Sequence, residues 1–235
     1  MKKRKFTQNR KRWFKVFKRI LRIRYRKPSF EYLGEKPTNE AIILSNHEGA
    51  AAPLNLEMYA DFPIRMWGTH KMNSGLVKLY KYQTQVYYHK KRHWNLHLAR
   101  MFCLIASPLT NLFYKGLKLI STYKDRRFFK QTIKESISAM TENGENIVIF
   151  PEMSDNGYLK KMEGFYAGFT VLAQALFRQG IDVKIFVTYF KKEERKFVFD
   201  SPILFSELKE LCGNRHEMAN YLLEKCNGLG DHIKR

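Results

Sequence analysis

The sequence predicts a single α/β domain with a mixed, mostly parallel sheet flanked by helices, preceded by a basic amphipathic helix. Three observations predict this fold class. Short β-rich runs alternate with helical stretches between residues 41 and 199, as in sheets covered by helices on both faces. The length of 235 residues suffices for one sizeable core. The hydrophobic content of 44% and the aromatic content of 14% exclude a chain that is disordered throughout.

The predicted strands are short runs rich in branched and aromatic residues, at 41–44, 64–67, 117–123, 147–150, 183–190 and 196–199. Helical spacing of apolar residues predicts helices over 54–59, 73–80, 92–115, 126–143 and 164–178, with a closing helix over 206–226. No internal repeat or interdomain linker interrupts this order. Functional side chains in such folds lie on loops at the carboxyl ends of strands.

The N-terminal segment carries most of the excess positive charge. The formal net charge is +21, and residues 2–27 contain 14 Lys or Arg and no acidic residue. Apolar residues in this segment recur at helical spacing with basic residues between them: Trp13, Val16, Phe17, Ile20 and Leu21, and Lys15, Lys18, Arg19 and Arg22. We expect Pro28 to end this helix.

We predict that residues 1–28 form an arm that binds an anionic membrane surface, and that residues 29–235 form the α/β domain. The apolar stripe would enter the headgroup region while basic groups meet anionic lipid, and the residues assigned to this contact are Trp13, Phe17, Ile20, Leu21, Lys15 and Arg19. Two alternatives stay open: the stripe could pack on the body of the protein, or the basic residues could bind nucleic acid.

Segment 80–94 interleaves five aromatic residues with basic ones. This composition suits a membrane-facing belt, which we favour, or a platform for stacking single-stranded nucleic acid. The most apolar stretch, residues 98–114, is interrupted by Arg100, Pro108 and Asn111, so we expect no transmembrane span. The chain is therefore expected to be peripheral, on the cytoplasmic face of a membrane.

Cofactor sites are not expected. The three cysteines, Cys103, Cys212 and Cys226, have no paired spacing, which fits a reducing compartment better than a disulfide framework. The histidines lack carboxylate or cysteine partners at metal-ligand spacing, and no glycine-rich phosphate loop occurs.

Two loops that follow predicted strands could carry chemistry. Residues 45–49 (SNHEG) follow the first strand, and residues 151–157 (PEMSDNG) follow the fourth. A histidine at the end of a buried strand can act as a general base at neutral pH, and His47 is surrounded by small residues that leave room for a substrate. Glu152 on the second loop could shape or orient that site.

These loops together resemble the motifs of the glycerolipid (lysophosphatidic acid) acyltransferase superfamily. Asn46-His47 is followed six residues after the histidine by Pro53, and about a hundred residues later by Phe150-Pro151-Glu152. Further matches lie between residues 41 and 204: Lys71, residues 117–123, Gly157-Tyr158-Leu159, Gly164-Phe165, residues 183–189 and Ser201-Pro202-Ile203. The resemblance implies an α/β fold with a membrane platform, His47 as base, and acyl-CoA or acyl-carrier protein as donor.

Several positions depart from the family's pattern. The carboxylate that orients the family's histidine falls at Ala52, and the arginine that grips the acceptor phosphate falls at Asp155. A second phosphate-binding arginine falls near Tyr123, and the usual proline of the fourth motif is replaced at or near Val187. Replacements for the carboxylate could be Glu48, Glu57 or Glu152. Replacements for the arginines could be among Lys124, Arg126, Arg127, Lys160 and Lys161.

The resemblance and the basic N-terminal segment lead to three hypotheses. The first is a membrane-associated acyltransferase of phospholipid or glycolipid metabolism, with a lipid-type acceptor and without a bound cofactor. Its catalytic residues would be His47 and Glu152, and the residues assigned to substrate are Asn46, Glu48, Lys71, Lys124, Ser154, Asp155 and Gly157. The second is a catalytically inactive lipid-binding relative. The third, less favoured, is a nucleic-acid-binding protein.

Overall fold

A computed structural model of the chain describes residues 10–123, 125–154 and 159–231. It confirms the predicted fold class: one α/β domain with a mixed, mostly parallel sheet of eight strands between helices. The strands are β1 Ser29–Tyr32, β2 Ile42–Ser45, β3 Ile64–Thr69, β4 Ile120–Thr122, β5 Asn146–Ile149, β6 Lys184–Lys191, β7 Lys196–Phe199 and β8 Ile203–Leu204.

The helices alternate with these strands along the chain. They are α1 Arg12–Arg24, α2 Ala51–Tyr59, α3 His70–Asn73, α4 Leu76–Tyr82, α5 Leu96–Leu117, α6 Arg126–Thr141, α7 Gly168–Phe177, α8 Phe205–Leu211 and α9 Arg215–Asp231, and a π-helix covers Gln83–Lys91 between α4 and α5.

The sheet has the order β1-β7-β6-β2-β5-β3-β4, with β8 pairing with β6. Strand β2 lies in the interior and is parallel to both of its neighbours, β5 and β6. Strand β3 is in turn parallel to β5 and β4. The carboxyl ends of β2, β3, β5 and β6 therefore meet at one edge of the sheet. The remaining pairs of β6, with β7 and β8, are antiparallel.

Two apolar clusters cover the two faces of the sheet, because successive residues of a strand point to opposite sides. On β2, Ile42 and Leu44 pack into a cluster with residues from α6 to α9. Ile43, between them, packs into the opposite cluster with Ala52 and Leu56 of α2. All four residues of β2 are buried, which explains why the strand reads as a continuous apolar run.

The predicted closing helix over 206–226 divides into α8 and α9. The division follows from capping, because the Asn214 side-chain oxygen accepts the backbone N–H groups of His216 (2.9 Å) and Glu217 (3.1 Å) and so starts a new helix. Asn95 likewise starts α5 by accepting from the His97 N–H at 2.9 Å, so the helix predicted over 92–115 begins at Leu96. Strands β1 and β8 and the π-helix were not predicted.

Helix α1 packs on the body of the protein, which was the alternative to a free membrane-binding arm. Phe14 is fully buried with its ring centroid 5.4 Å from that of Phe113, and it occupies the space beside Gly116 where any larger residue would place its Cβ. Phe17 and Leu21 pack against the same cluster. The helix ends at Arg24, before Pro28. Residues 12–24 are thus part of the folded body.

A buried group of charges also holds α1. Arg10 Nη2 lies 3.0 Å from Glu57 Oε2, and Lys18 Nζ lies 2.8 Å from Glu57 Oε1. Glu57 is 0% exposed. Burial lowers the pKa of Lys18, although the charge of Glu57 opposes this shift. Lys18 therefore does not belong to the solvent-facing basic side of the helix, where the sequence pattern placed it.

Helix α5 is continuous over 22 residues and includes Arg100, Pro108 and Asn111, the residues that interrupt its apolar sequence. Among the described residues it is the one helix that is long and apolar enough to cross a membrane by length and composition. One side of it is packed against protein, including Ala99, Cys103 and Ser107.

Candidate functional site

The fold brings together the two loops that follow β2 and β5. The backbone N–H of His47 donates to Glu152 Oε2 at 3.0 Å, which joins the two loops across the sheet edge. This contact follows from topology, because β2 and β5 are adjacent and parallel, with Leu44 opposite Ile149. The two loops are therefore in direct contact, although His47 and Glu152 are 105 residues apart in the sequence.

The His47 ring is held by a backbone carbonyl. Its Nδ1 is hydrogen-bonded to the Gly49 carbonyl oxygen. A carbonyl can only accept, so Nδ1 carries the proton and the lone pair of the neutral imidazole is on Nε2. The turn that brings the carbonyl back to the ring needs two successive left-handed residues, Glu48 with φ 44° and Gly49 with φ 66°. The ring centroid lies 5.1 Å from that of Phe150.

Burial lowers the pKa of His47 to about 4. The hydrogen bond to the Gly49 carbonyl opposes this shift, and the positive charge of Lys91 adds to it. His47 is therefore neutral at pH 7, which a general base requires. Its basicity is low, however, because burial disfavours the charged imidazolium form.

Glu152 acts on the backbone of the histidine loop. Burial raises the pKa of Glu152, while hydrogen bonds from the backbone N–H groups of His47 and Leu159 lower it in part. The carboxylate therefore joins the His47 loop to the segment that follows residue 158. This contact can position His47, but it does not involve the ring.

The other proposed substitute carboxylates have different partners. Glu57 is engaged by Arg10 and Lys18 under α1, so it is not the partner that orients His47. Glu48 is half-buried, and its charge raises the pKa of Glu152. The position of the family's orienting carboxylate, Ala52, is fully buried in the apolar cluster of α2. The group that is hydrogen-bonded to His47 Nδ1 is the Gly49 carbonyl.

Two cations that were not predicted as site residues come from the end of the π-helix. Lys91 Nζ donates to Ser154 Oγ, which places its charge between the two loops. The guanidinium of Arg92 lies 5.8 Å from the Tyr87 ring centroid, and its Nη2 would be 3.2 Å from a Cβ on Gly49. The sequence signal for them is the run Lys90-Lys91-Arg92, but a π-helix changes the helical register. Sequence spacing therefore could not indicate which of the three faces the loop.

The other residues assigned to substrate lie in different surroundings. Asn46 is buried and exchanges two hydrogen bonds with the backbone of Phe190, at 3.0 and 2.7 Å, so its amide fixes the strand end and is not available to a substrate. Ser154 is buried beside Lys91. Lys71 is exposed on α3, with its Nζ 5.8 Å from the Tyr82 ring centroid. Lys124, Asp155 and Gly157 lie outside the described residues.

Three other basic candidates, Arg127, Lys160 and Lys161, are at the surface. Lys160 Nζ pairs with Glu193 at 3.2 Å, and Arg127 pairs with Asp125 at 3.0 Å. In the part of the chain that the structure describes, no group of three or more His, Cys, Asp or Glu side chains could hold a metal ion. The three cysteines are buried and are not paired with one another.

No protein-family model matches the chain, and no curated protein matches its sequence significantly. The case for a function therefore depends on the geometry of the His47 site and on the motif resemblance.

Proposed function

We propose that the chain is a membrane-associated acyltransferase that moves a fatty acyl group from an acyl thioester to a lipid-type acceptor. One observation carries this proposal: the neutral His47 has its proton fixed on Nδ1 by the Gly49 carbonyl, at the carboxyl edge of a parallel sheet and beside a lysine. A histidine in this state can accept a proton through Nε2. The Asn-His and Phe-Pro-Glu motifs favour acyl transfer over other reactions of a histidine base.

In the proposed reaction, His47 Nε2 takes the proton of an acceptor hydroxyl as the oxygen attacks the thioester carbonyl carbon. A tetrahedral intermediate forms with its negative charge on the former carbonyl oxygen. The carbon–sulfur bond then breaks, and the leaving thiolate takes the proton back from the imidazolium. The products are an ester and a free thiol, and His47 returns to its neutral form.

A backbone carbonyl replaces only part of what a carboxylate does for a catalytic histidine. It fixes the tautomer and the ring orientation, but it does not neutralise the imidazolium. In Ser-His-Asp hydrolases, replacing the orienting Asp costs about 10⁴ in turnover and the wrong tautomer contributes to this loss. Because the Gly49 carbonyl selects the productive tautomer, we expect a slow enzyme and not an inert site. An inactive lipid-binding relative is the competing proposal, favoured by the low pKa of His47.

Lys91 and Arg92 provide the positive charge that a phosphorylated substrate requires. Phosphate groups occur in coenzyme A, in the acyl-carrier prosthetic group and in many lipid acceptors, and Lys and Arg bind them through charge-assisted hydrogen bonds. The two residues thus take the place of the arginines that the family uses. They are not among the replacements that the sequence suggested.

The substitution His47→Ala tests this function. Transfer of a labelled acyl group from acyl-CoA to a lysophospholipid in detergent micelles should fall at least about a hundredfold, the range of general-base catalysis. The free energy of unfolding should fall by only about 1 kcal/mol, because one hydrogen bond is lost. His216→Ala, an exposed histidine on α9, is the matched control and should keep full transfer. Full transfer by His47→Ala would remove His47 as the base, and absence of transfer by the unmodified protein would favour the inactive relative.

A further inference from the structure

Helix α5 has an apolar face that the protein itself does not cover. The exposed residues are spaced i, i+3, i+4, i+7, i+11 and i+14, which is one side of a helix: Leu98, Met101, Phe102, Ile105, Leu109 and Leu112. Ile105 is 75% exposed. Contiguous exposed apolar surface of this length marks an interaction site in soluble proteins.

The opposite side of α5 is firmly packed. Ser107 Oγ donates to Gln83 Oε1 at 2.6 Å, and Gln83 Nε2 donates to Thr110 Oγ1 at 2.9 Å, which ties the middle of the helix to the π-helix. Ala99 and Cys103 are fully buried on the same side. Because protein covers one side of it, α5 can meet lipid only through its other side. It can lie in the plane of a membrane surface with one face inserted.

The segment that carries this face has formal charges of one sign. Residues 62–124, which include α4, the π-helix and α5, contain 11 Lys or Arg and no Asp or Glu. Lys78, Lys81 and Arg100 are exposed in this segment. A surface with apolar side chains in the middle and only cations around them complements an anionic bilayer, whereas an interface with a protein would also need acidic or neutral polar partners.

Aromatic side chains and α1 extend the same surface. Trp94, just before α5, lies with its ring 4.8 Å from that of Tyr88 and 5.4 Å from that of Phe102, and it is partly exposed. Tryptophan and tyrosine concentrate at membrane–water interfaces. Because these rings pack on one another, they do not offer the separate faces that stacking of nucleic-acid bases needs. On α1, which packs against α5 through Phe14, Ile20 and Ile23 are exposed apolar residues.

We infer that α5 lies in the interface of an anionic bilayer, parallel to its plane, with the stripe from Leu98 to Leu112 inserted and α1 beside it. This deepens the proposed function and rests on its membrane association. The arm predicted from the sequence is then the smaller part of the contact. The segment that carries Lys91 and Arg92 leads directly into α5, so the site would open close to the lipid surface.

Vesicle flotation of the purified protein tests the inference. The probes are vesicles of phosphatidylcholine alone and of phosphatidylcholine with phosphatidylglycerol. Ile105→Gln combined with Leu109→Gln should weaken binding to the anionic vesicles about a hundredfold, because each buried aliphatic side chain is worth about tenfold. Leu33→Gln combined with Leu211→Gln is the matched control, since both leucines are exposed outside this surface. High salt should weaken binding in part.

Two results would overturn the inference. The first is unchanged vesicle binding by the α5 variant, with a thermal melt that shows it to be folded. The second is a dimer of the unmodified protein in solution that the α5 variant splits, which would make a second copy the partner of this face. No acyl donor is present in the assay, so a failure of the proposed acyl transfer would not alter the outcome.

Discussion

Glu57 and Glu152 are both buried glutamates that the sequence offered as partners for His47, yet their surroundings give them different tasks. Glu57 lies under α1, where Arg10 and Lys18 neutralise it. Glu152 lies at the sheet edge, where it accepts backbone N–H groups from the His47 loop and from Leu159. The first carboxylate attaches a helix to the body, and the second shapes a loop.

The role of a buried carboxylate therefore depends on which groups the fold brings to it. Glu57 was one of the candidates because it is ten residues after His47, on a predicted helix that could bring it back to the ring. Residues at the N-terminal end of the chain, about forty positions away, occupy it instead. Two substitutions separate the two roles, and a third tests the lysine beside His47.

The largest expected effect is on stability, from Glu57→Gln. This change removes the counter-charge that Lys18 contacts and one acidic partner of Arg10, which also pairs with Glu145 at 3.7 Å. Breaking a buried pair in this way costs about 3–5 kcal/mol. Chemical denaturation measures the free energy of unfolding. Glu35→Gln, which alters the half-exposed pair with Lys184, is the control and should unfold like the unmodified protein. A Glu57→Gln protein as stable as that control would show that the buried charges do not hold α1.

Glu152→Gln should instead affect the site. Glutamine keeps one oxygen that can accept the His47 N–H but loses the charge, which costs about 1 kcal/mol of stability. Because the His47 loop is less well held, acyl transfer should fall about tenfold, a loss that corresponds to a misplaced catalytic group. Transfer assays and thermal melts on the same sample compare the two losses. A protein that lost several kcal/mol and kept its activity would reverse the roles assigned to the two glutamates.

The smallest effect concerns Lys91. Lys91→Gln removes a charge that lowers the pKa of His47, so this pKa should rise. The KM for a phosphorylated substrate should also increase, by about tenfold if one charge-assisted hydrogen bond is lost. Lys90→Gln changes the adjacent exposed lysine and serves as the control. Equal KM values for the two variants would show that Lys91 does not contact the phosphate.

The sheet could be predicted from the sequence to a large extent. Six of its strands were predicted because apolar runs such as Ile42–Ser45 are buried on both faces and carry a strong local signal. Strand β1 could not be predicted, because it is a half-exposed edge strand with the pattern SFEY. The two-residue strand β8 depends on its pairing with β6 and has no local signal.

The site could be predicted only in part. His47 and Glu152 follow strands, and parallel neighbours bring such loops together, so their proximity follows from the predicted topology. The Gly49 carbonyl as partner of His47 depends on two left-handed residues in a turn, which composition alone does not reveal. The burial of Lys18 and Arg10 also could not be predicted. Amphipathic spacing assigns basic residues to the solvent-facing side of a helix, and it does not show that the fold places the buried Glu57 beside them.

The pH dependence of kcat/KM for acyl transfer tests the central claim most directly, because it reports the pKa of the essential base in the free enzyme. Nε2 must be unprotonated to act, so activity is present above the pKa of His47 and is lost as the pH falls through it. The lowered pKa predicts that the acid limb of the profile lies near pH 4. Circular dichroism over the same range must show a folded protein, since the unfolded chain binds a proton at His47 below about pH 6.5 and stability falls with pH from there. A profile whose acid limb lies near 6.5 would contradict a half-buried, carbonyl-held His47 as the base.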